Sequence, residues 1–323
     1  MKQLQIVSPG RAEWSEVQVP QPEAGQVLLK VLGVTTCPHW DLHLMSGEPM
    51  FPGRPLPYPY TPGQPGHEAM GVVVALGPGV EGPAVGTRVA AWRDQGHHVP
   101  GCYGQYVCLD VPNVLAVPGS LKPQEVASLE LAMCVQTSFD QLIALSAMQG
   151  ARLAVSGLGP AGLIAVQMAR AYGAREVIGF DPLPERRELA THLGADVAFP
   201  PGAPGFPEGR SGATAFDAAI DCTGLKVSVE FLMDRTKHAV AAFGVLRDAV
   251  EFGFRHWAGL ALLGAGAHNR QAAERALVLV SDGRVRLSPL VTHSLPLSRY
   301  AEGVELLRTR QAIKVCFNPW EEE

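Results

Sequence analysis

The chain has 323 residues, 47% of them hydrophobic, with 26 Lys and Arg against 31 Asp and Glu for a formal net charge of −5. That length and apolar content provide for a large core and about two domains of ~150 residues each, and exclude a disordered chain. An acidic balance without any run of Lys or Arg excludes the electrostatic footprint expected of a nucleic-acid partner or an anionic membrane surface.

The opening segment, MKQLQIVSPGRAEW, has no basic stretch followed by an apolar run, and no later stretch offers about 18 charge-free apolar residues. A cytoplasmic protein is the expectation. Up to about residue 120 the chain is rich in Val, Gly and Pro, with short strand-like runs at Val27-Leu-Leu-Lys-Val31, Gly71-Val-Val-Val-Ala75 and Tyr106-Val-Cys-Leu109. These predict a compact, mainly β domain. The proline-dense segment from Phe51 to Gly66 lacks the amide donors of a helix or central strand and reads as an ordered surface loop.

From Pro123 the character changes. A helical pattern runs through Leu142 and Leu145, after which strand and helix signals alternate. Strands are predicted at 152–156, 176–180, 216–221, 238–243 and 260–264, and helices near 160–172, 184–193, 226–233 and 269–282. That alternation predicts an α/β fold with a doubly wound parallel sheet covered on both faces. Residues 200–212 read as a loop within it.

The first strand–helix junction of this half carries Gly157-Leu158-Gly159-Pro160-Ala161-Gly162 between an apolar strand and an amphipathic helix. In a dinucleotide fingerprint the first glycine makes the turn, the second lets backbone approach a pyrophosphate, and the third lets helix pack on strand. The pyrophosphate then sits at the helix N-terminus, where unpaired amides favour an anion. Asp181 ends the next strand, 24 residues beyond Gly157. A carboxylate there accepts from ribose hydroxyls and repels a 2′-phosphate, which favours NAD(H) over NADP(H); the other reading of Asp181 is a cap on the following helix. Arg186 and Arg187 follow one turn later and could offset that preference. Cys222-Thr223-Gly224, Gly244 and Gly264 end later strands and are expected to border the nicotinamide.

Two segments of the first half complete the pattern: Thr36-Cys37-Pro38-His39-Trp40-Asp41-Leu42-His43 and Pro65-Gly66-His67-Glu68-Ala69-Met70-Gly71. With the opening Val19 to Val31, Gly86-Thr-Arg-Val89 and the ending Leu290 to Phe317, they make a chain that resembles, over nearly its whole length, the zinc-containing alcohol dehydrogenase branch of the medium-chain dehydrogenase/reductases, in particular its polyol and threonine dehydrogenases. The resemblance implies a GroES-like β domain from 1–122 and 290–323, a Rossmann domain from 123–289, and an active site in the cleft between them. It implies one catalytic Zn²⁺ on Cys37, His67, Glu68 and Glu130, with Cys134 as the alternative to Glu130. By the same resemblance His43 relays a proton and Asp41 orients the histidine ligand. The implied reaction is hydride transfer between NAD(H) and a small alcohol, polyol or carbonyl substrate. A homodimer or tetramer is implied as well, with an uncovered strand near 260–264 or 285–291 as the pairing edge.

The sequence departs from that family in two places. Cys37 and Asp41 are four residues apart where relatives have three, so Trp40 occupies the column of a small hydroxyl residue, and His39 or a water is the candidate to replace it. The stretch from Ala91 to Cys102 has one cysteine where many relatives have a four-cysteine lobe, so no structural zinc is expected and His97-His98 read as a solvated loop. The six cysteines, Cys37, Cys102, Cys108, Cys134, Cys222 and Cys316, have no CxxC spacing and are expected mostly as thiols. Trp40, Phe51, Tyr58, Trp92, Phe139 and Trp257 are candidate substrate walls. The competing readings are a zinc-free quinone or enoyl reductase of the same fold and a non-catalytic nucleotide-binding redox sensor.

Overall fold

A computed structural model describes residues 1–51, 53–93 and 99–321. The chain divides into two compact units, Met1–Leu131 with Leu287–Glu323, and Ala132–Arg286. The expected boundary at 122/123 therefore moves: residues 123–131 and 287–289 cluster with the N-terminal unit. Packing explains the shift, because the Pro123 ring lies so close to Gly33 that a Cβ on Gly33 would stand 2.6 Å from it.

In chain order the first unit forms β1 (Lys2–Ser8), β2 (Arg11–Glu16), β3 (Gln26–Thr35), α1 (Pro38–Ser46), β4 (Glu68–Leu76), β5 (Arg88–Trp92), β6 (Tyr106–Asp110), β7 (Val114–Ala116), α2 (Pro123–Val126) and the start of α3 (Leu129–Ala144). The second continues through β8 (Arg152–Ser156), α4 (Pro160–Ala171), β9 (Glu176–Phe180), α5 (Pro184–His192), β10 (Val197–Phe199), β11 (Phe216–Asp221), α6 (Lys226–Met233), β12 (Thr236–Ala242), α7 (Phe254–Trp257), β13 (Ala261–Gly264) and α8 (Arg270–Ser281). The chain then returns to the first unit as β14 (Val291–Pro296), α9 (Tyr300–Arg308) and β15 (Lys314–Asn318). Residues 285–290 are not a strand, because Pro289 falls in a short 3-10 turn, Ser288–Leu290, and pairing begins only at Val291.

The larger sheet of the first unit has seven strands in the order β14-β15-β3-β4-β5-β7, with β6 also on β3. β3 is its centre. Val27, Leu29 and Val31 are at most 1% exposed, as the two-residue period of a strand requires for one face. The registers that matter place Thr35 opposite Glu68 and Cys316 opposite Thr35, so the ends of three neighbouring strands meet. The proline-rich segment departs from a plain surface loop: Gly53, Arg54 and Pro55 are exposed, but Tyr60 and residues 63–66 are buried. Its backbone is drawn in by hydrogen bonds from Tyr60 N to Ile6 O (2.9 Å) and from Gly63 N to Leu4 O (2.7 Å).

The sheet of the second unit is parallel with order β10-β9-β8-β11-β12-β13. Leu153, Ala154 and Val155 of β8 are fully buried, as expected of a central strand covered on both faces. The order reverses between β8 and β11, and a doubly wound sheet opens its ligand crevice at the C-terminal ends of such a pair. Among the described residues, no helix is long and apolar enough to cross a membrane.

Candidate metal centre and dinucleotide site

The donor atoms of Cys37, His67 and Glu68 lie within 4.8 Å of one another, all in the first unit. Cys37 is the N-cap of α1, His67 immediately precedes β4, and Glu68 is its first residue. His67 is 7% exposed, and its Nδ1 lies 2.7 Å from the Pro65 carbonyl. A carbonyl accepts only, so Nδ1 carries the proton and Nε2 is left with its lone pair. Burial, with a contribution from Arg93, lowers the His67 pKa from 6.5 to about 4 against the opposing pull of Glu130 and Pro65 O, so the ring stays neutral at ordinary pH. The Oε2 atom of Glu130 stands 4.0 Å from that Nε2. A tetrahedral zinc with nitrogen and oxygen ligands has donor–donor edges of about 3.3–3.5 Å, so a closure of well under an ångström would complete the pair.

Glu68 is held by a partner that sequence reasoning missed. Lys314 Nζ donates to both of its carboxylate oxygens at 2.7 Å, with the two side chains 0% and 1% exposed. Thr35 Oγ1 donates to Glu68 Oε2 at 3.2 Å and lies 2.9 Å from Ser128 Oγ. Burial pushes the Glu68 carboxyl up and the Lys314 ammonium pulls it back. Burial and then the charge of Glu68 also push the Cys37 thiol far above its usual range, so a metal bound there must displace that proton. With Cys37 ionised, a thiolate and the Glu68 and Glu130 carboxylates gather beside the neutral His67 imidazole, with Lys314 on Glu68, and that donor chemistry suits a divalent cation. The residues fit such an ion. The one sequence signal for Lys314 was a lysine inside the apolar run Ile313-Lys-Val-Cys-Phe317.

Asp41 does not take the place expected of it. Its carboxylate, 0% exposed, accepts from Tyr300 Oη (2.7 Å), Tyr103 Oη (2.9 Å) and the Cys37 amide (2.8 Å), and among the described residues none of its partners is His67. The orientation of His67 falls to Pro65 O instead. His39 and His43 lie on α1 with ring centroids 4.8 Å apart, and His43 Nδ1 is 3.0 Å from Glu48 O. Trp40 stands edge-on to His67 (6.1 Å) and to Phe51 (6.2 Å), so Trp40 lies beside His67 and Phe51 packs against Trp40. Tyr58 donates its hydroxyl to Leu44 O, Trp92 and Phe139 are buried core, and Trp257 is 73% exposed on α7. Cys134 belongs to the second unit. His97 and His98 lie outside the described residues, and all six cysteines are free thiols.

In the second unit, Gly157 adopts φ +85°, which only glycine enters without strain. A Cβ on Gly162 would stand 1.8 Å from Gly157 O, whereas one on Gly159 meets nothing within 4 Å. Turn and helix are therefore locked together while the space over Gly159 stays open. Pro160 opens α4 without an amide proton, and the amides of Ala161 and Gly162 belong to the first turn, where no intrahelical acceptor exists. The Leu158 side chain is buried, and its amide donates to Asp181 Oδ2 at 2.8 Å. Asp181 Oδ1 accepts from Leu183 N at 2.9 Å, so this carboxylate ties the glycine turn to the N-cap of α5. Arg187 Nη1 donates to the carbonyls of Asp181 and Pro182, both at 2.8 Å, and Arg186 is 8% exposed. Asp221 accepts from the amides of Thr223 and Gly224, fixing the Cys222-Thr223-Gly224 turn, whose Thr223 Cγ2 would meet a Cβ on Gly157 at 2.6 Å. Gly244 packs on Gly224, while Gly264 is open.

Compared with known proteins, residues 23–119 match the family model of the alcohol dehydrogenase GroES-like domain and residues 160–269 that of the zinc-binding dehydrogenases. The chain is 29% identical over 342 residues to the L-threonine 3-dehydrogenase of Pyrococcus horikoshii, covering 95% of this chain and 94% of the relative. A protein of Sinorhizobium meliloti 1021 solved with NADP bound superposes with a TM-score of 0.82 at 26% identity, over 98% of this chain and 99% of the other. The 2R,3R-butanediol dehydrogenase of Bacillus subtilis has the same fold, with a TM-score of 0.81 at 22% identity over 98% and 99% of the two chains.

Proposed function

As the chain belongs to the zinc-type medium-chain dehydrogenase/reductase family, we propose that it is an NAD-dependent alcohol dehydrogenase whose metal ligands are Cys37, His67 and Glu130. The observation that carries this reading is the neutral, buried His67, its Nδ1 proton committed to Pro65 O and its Nε2 facing Glu130. Zinc held there supplies a Lewis acid for the substrate oxygen, and a nicotinamide dinucleotide on the second unit supplies the hydride acceptor. Glu68 serves as a fixed counter-charge, because Lys314 and Thr35 already engage its oxygens. By the family resemblance His43, its Nδ1 held near Glu48 O and its ring beside that of His39, would take up the alcohol proton at Nε2 and release it from the same atom to water.

The preference for NAD(H) rests on Asp181. Two backbone amides hold its carboxylate at the end of β9, where it accepts from ribose hydroxyls and repels a 2′-phosphate. Arg187 is turned to main-chain carbonyls, which removes it as a ready phosphate partner. Secondary alcohols, vicinal diols and β-hydroxy amino acids are the substrate class, by analogy with the threonine and butanediol dehydrogenases. A steady-state assay of such alcohols with NAD⁺ and NADP⁺ tests this. Oxidation with NAD⁺ favoured by kcat/KM is expected; reduction of quinones or enones with no turnover of any alcohol would establish the zinc-free reductase instead.

A further inference from the structure

The four-residue step from Cys37 to Asp41 has a structural consequence of its own. In a capping box the residue three positions into the helix reaches back to the N-cap amide. In α1 the N-cap is Cys37, no side chain caps it in the ordinary way, and Pro38 follows at once. Asp41, one position further along than a capping-box residue, takes that part: its Oδ2 accepts from the Cys37 amide at 2.8 Å.

The same carboxylate is clamped from two other elements. Tyr300, at the start of α9, donates to Oδ1 at 2.7 Å, and Tyr103 donates at 2.9 Å. Asp41, Tyr103 and Tyr300 are all at most 1% exposed, and the two rings pack 5.2 Å apart. Tyr103 also abuts the segment that carries His67. A Cβ on Gly66 would fall 2.6 Å from Tyr103 N and 2.9 Å from its ring, and the neighbouring amide of Cys102 donates to Gly66 O at 2.8 Å. One rigid side chain thus touches the residue before His67 with its ring and, through the Asp41 carboxylate, fixes the backbone of Cys37. The two ligand-bearing segments are linked by a path that contains no metal.

Resting on the metal-binding reading above, we propose that Tyr103 and Tyr300, acting through Asp41, are positioning residues that hold Cys37 in register with His67. None of the three is among the proposed metal ligands. Their work is to keep the two donors at binding distance when the ion is absent, so that little ordering remains when it arrives.

The test compares the parent with Tyr103→Phe, Tyr300→Phe, the double variant and Asp41→Asn. Zinc affinity is read by competition with a chromophoric chelator, and the cysteine-to-cobalt charge-transfer band is read in the Co²⁺ form. The phenylalanines keep the ring packing and remove only the hydroxyls. Each single change is expected to weaken zinc binding and the double variant to weaken it by about 10–100-fold, the range seen when outer-shell partners of a metal site are lost. The charge-transfer band should shift or weaken in parallel. Trp320→Phe, which removes the hydrogen bond to Val31 O and touches none of these residues, controls for stability loss and should leave affinity unchanged. Should the double variant fail to fold, Asp41→Asn carries the same expectation. Variants that bind zinc within about threefold of the parent, with an unaltered cobalt band, would overturn the positioning role alone. A parent that binds neither ion would overturn the metal-binding reading and this inference with it.

Discussion

His67 combines two properties that oppose each other in water: it is buried, and it keeps a lone pair available. Burial holds its pKa near 4, below the ordinary 6.5 of an unfolded chain. Between those values the unfolded chain takes up a proton that the folded chain refuses, so stability is full above the unfolded value and is lost as pH falls through the folded one. The metal-free protein should therefore lose on the order of 3 kcal/mol between about pH 6.5 and pH 4 from this residue. Urea midpoints of the parent and of His67→Gln across that range check it; equal slopes in the two proteins would show that His67 does not titrate as described. Around it, the sequence indicated which residue types gather but not their pairing. Glu68 and Lys314 are 246 residues apart, and no periodicity connects them. The role expected of Asp41 came from the family resemblance, whereas in this chain, with its longer step from Cys37, the carboxylate meets Tyr103, Tyr300 and the Cys37 amide.

Among the elements, the β8–turn–α4 unit was the most readable, because an apolar strand, three spaced glycines and an amphipathic helix each have a separate physical cause. The pieces that escaped are short or mixed in character. β10 spans three residues and α7 four, too few to express a period, and α1 mixes His, Trp and Asp behind a proline. The glycines make a paired prediction. Gly162→Ala puts a methyl against Gly157 O, a backbone atom that cannot step aside, and should cost about 1–3 kcal/mol together with nucleotide binding. Gly159→Ala meets no protein atom within 4 Å and keeps a φ of −69°, so stability should stay within about 0.5 kcal/mol. On the proposed reading its methyl would occupy the space of the pyrophosphate, and NADH affinity should fall by about tenfold or more, read by fluorescence titration. Undiminished NADH binding in Gly159→Ala would place the dinucleotide elsewhere.

In the whole molecule, the proposed reading gives each unit one half of an oxidoreductase: candidate donors for a metal in the first, and a glycine turn backed by Asp181 and Asp221 in the second. The donor set is the half that separates an alcohol dehydrogenase from a zinc-free reductase of the same fold. Metal content is therefore the measurement to make, by elemental analysis of protein purified without chelator and of its His67→Ala variant. About one zinc per chain in the parent, lost in the variant, is the expected result. No zinc in the parent, or an equal amount in both proteins, would mean that Cys37, His67 and Glu130 do not form a catalytic metal centre.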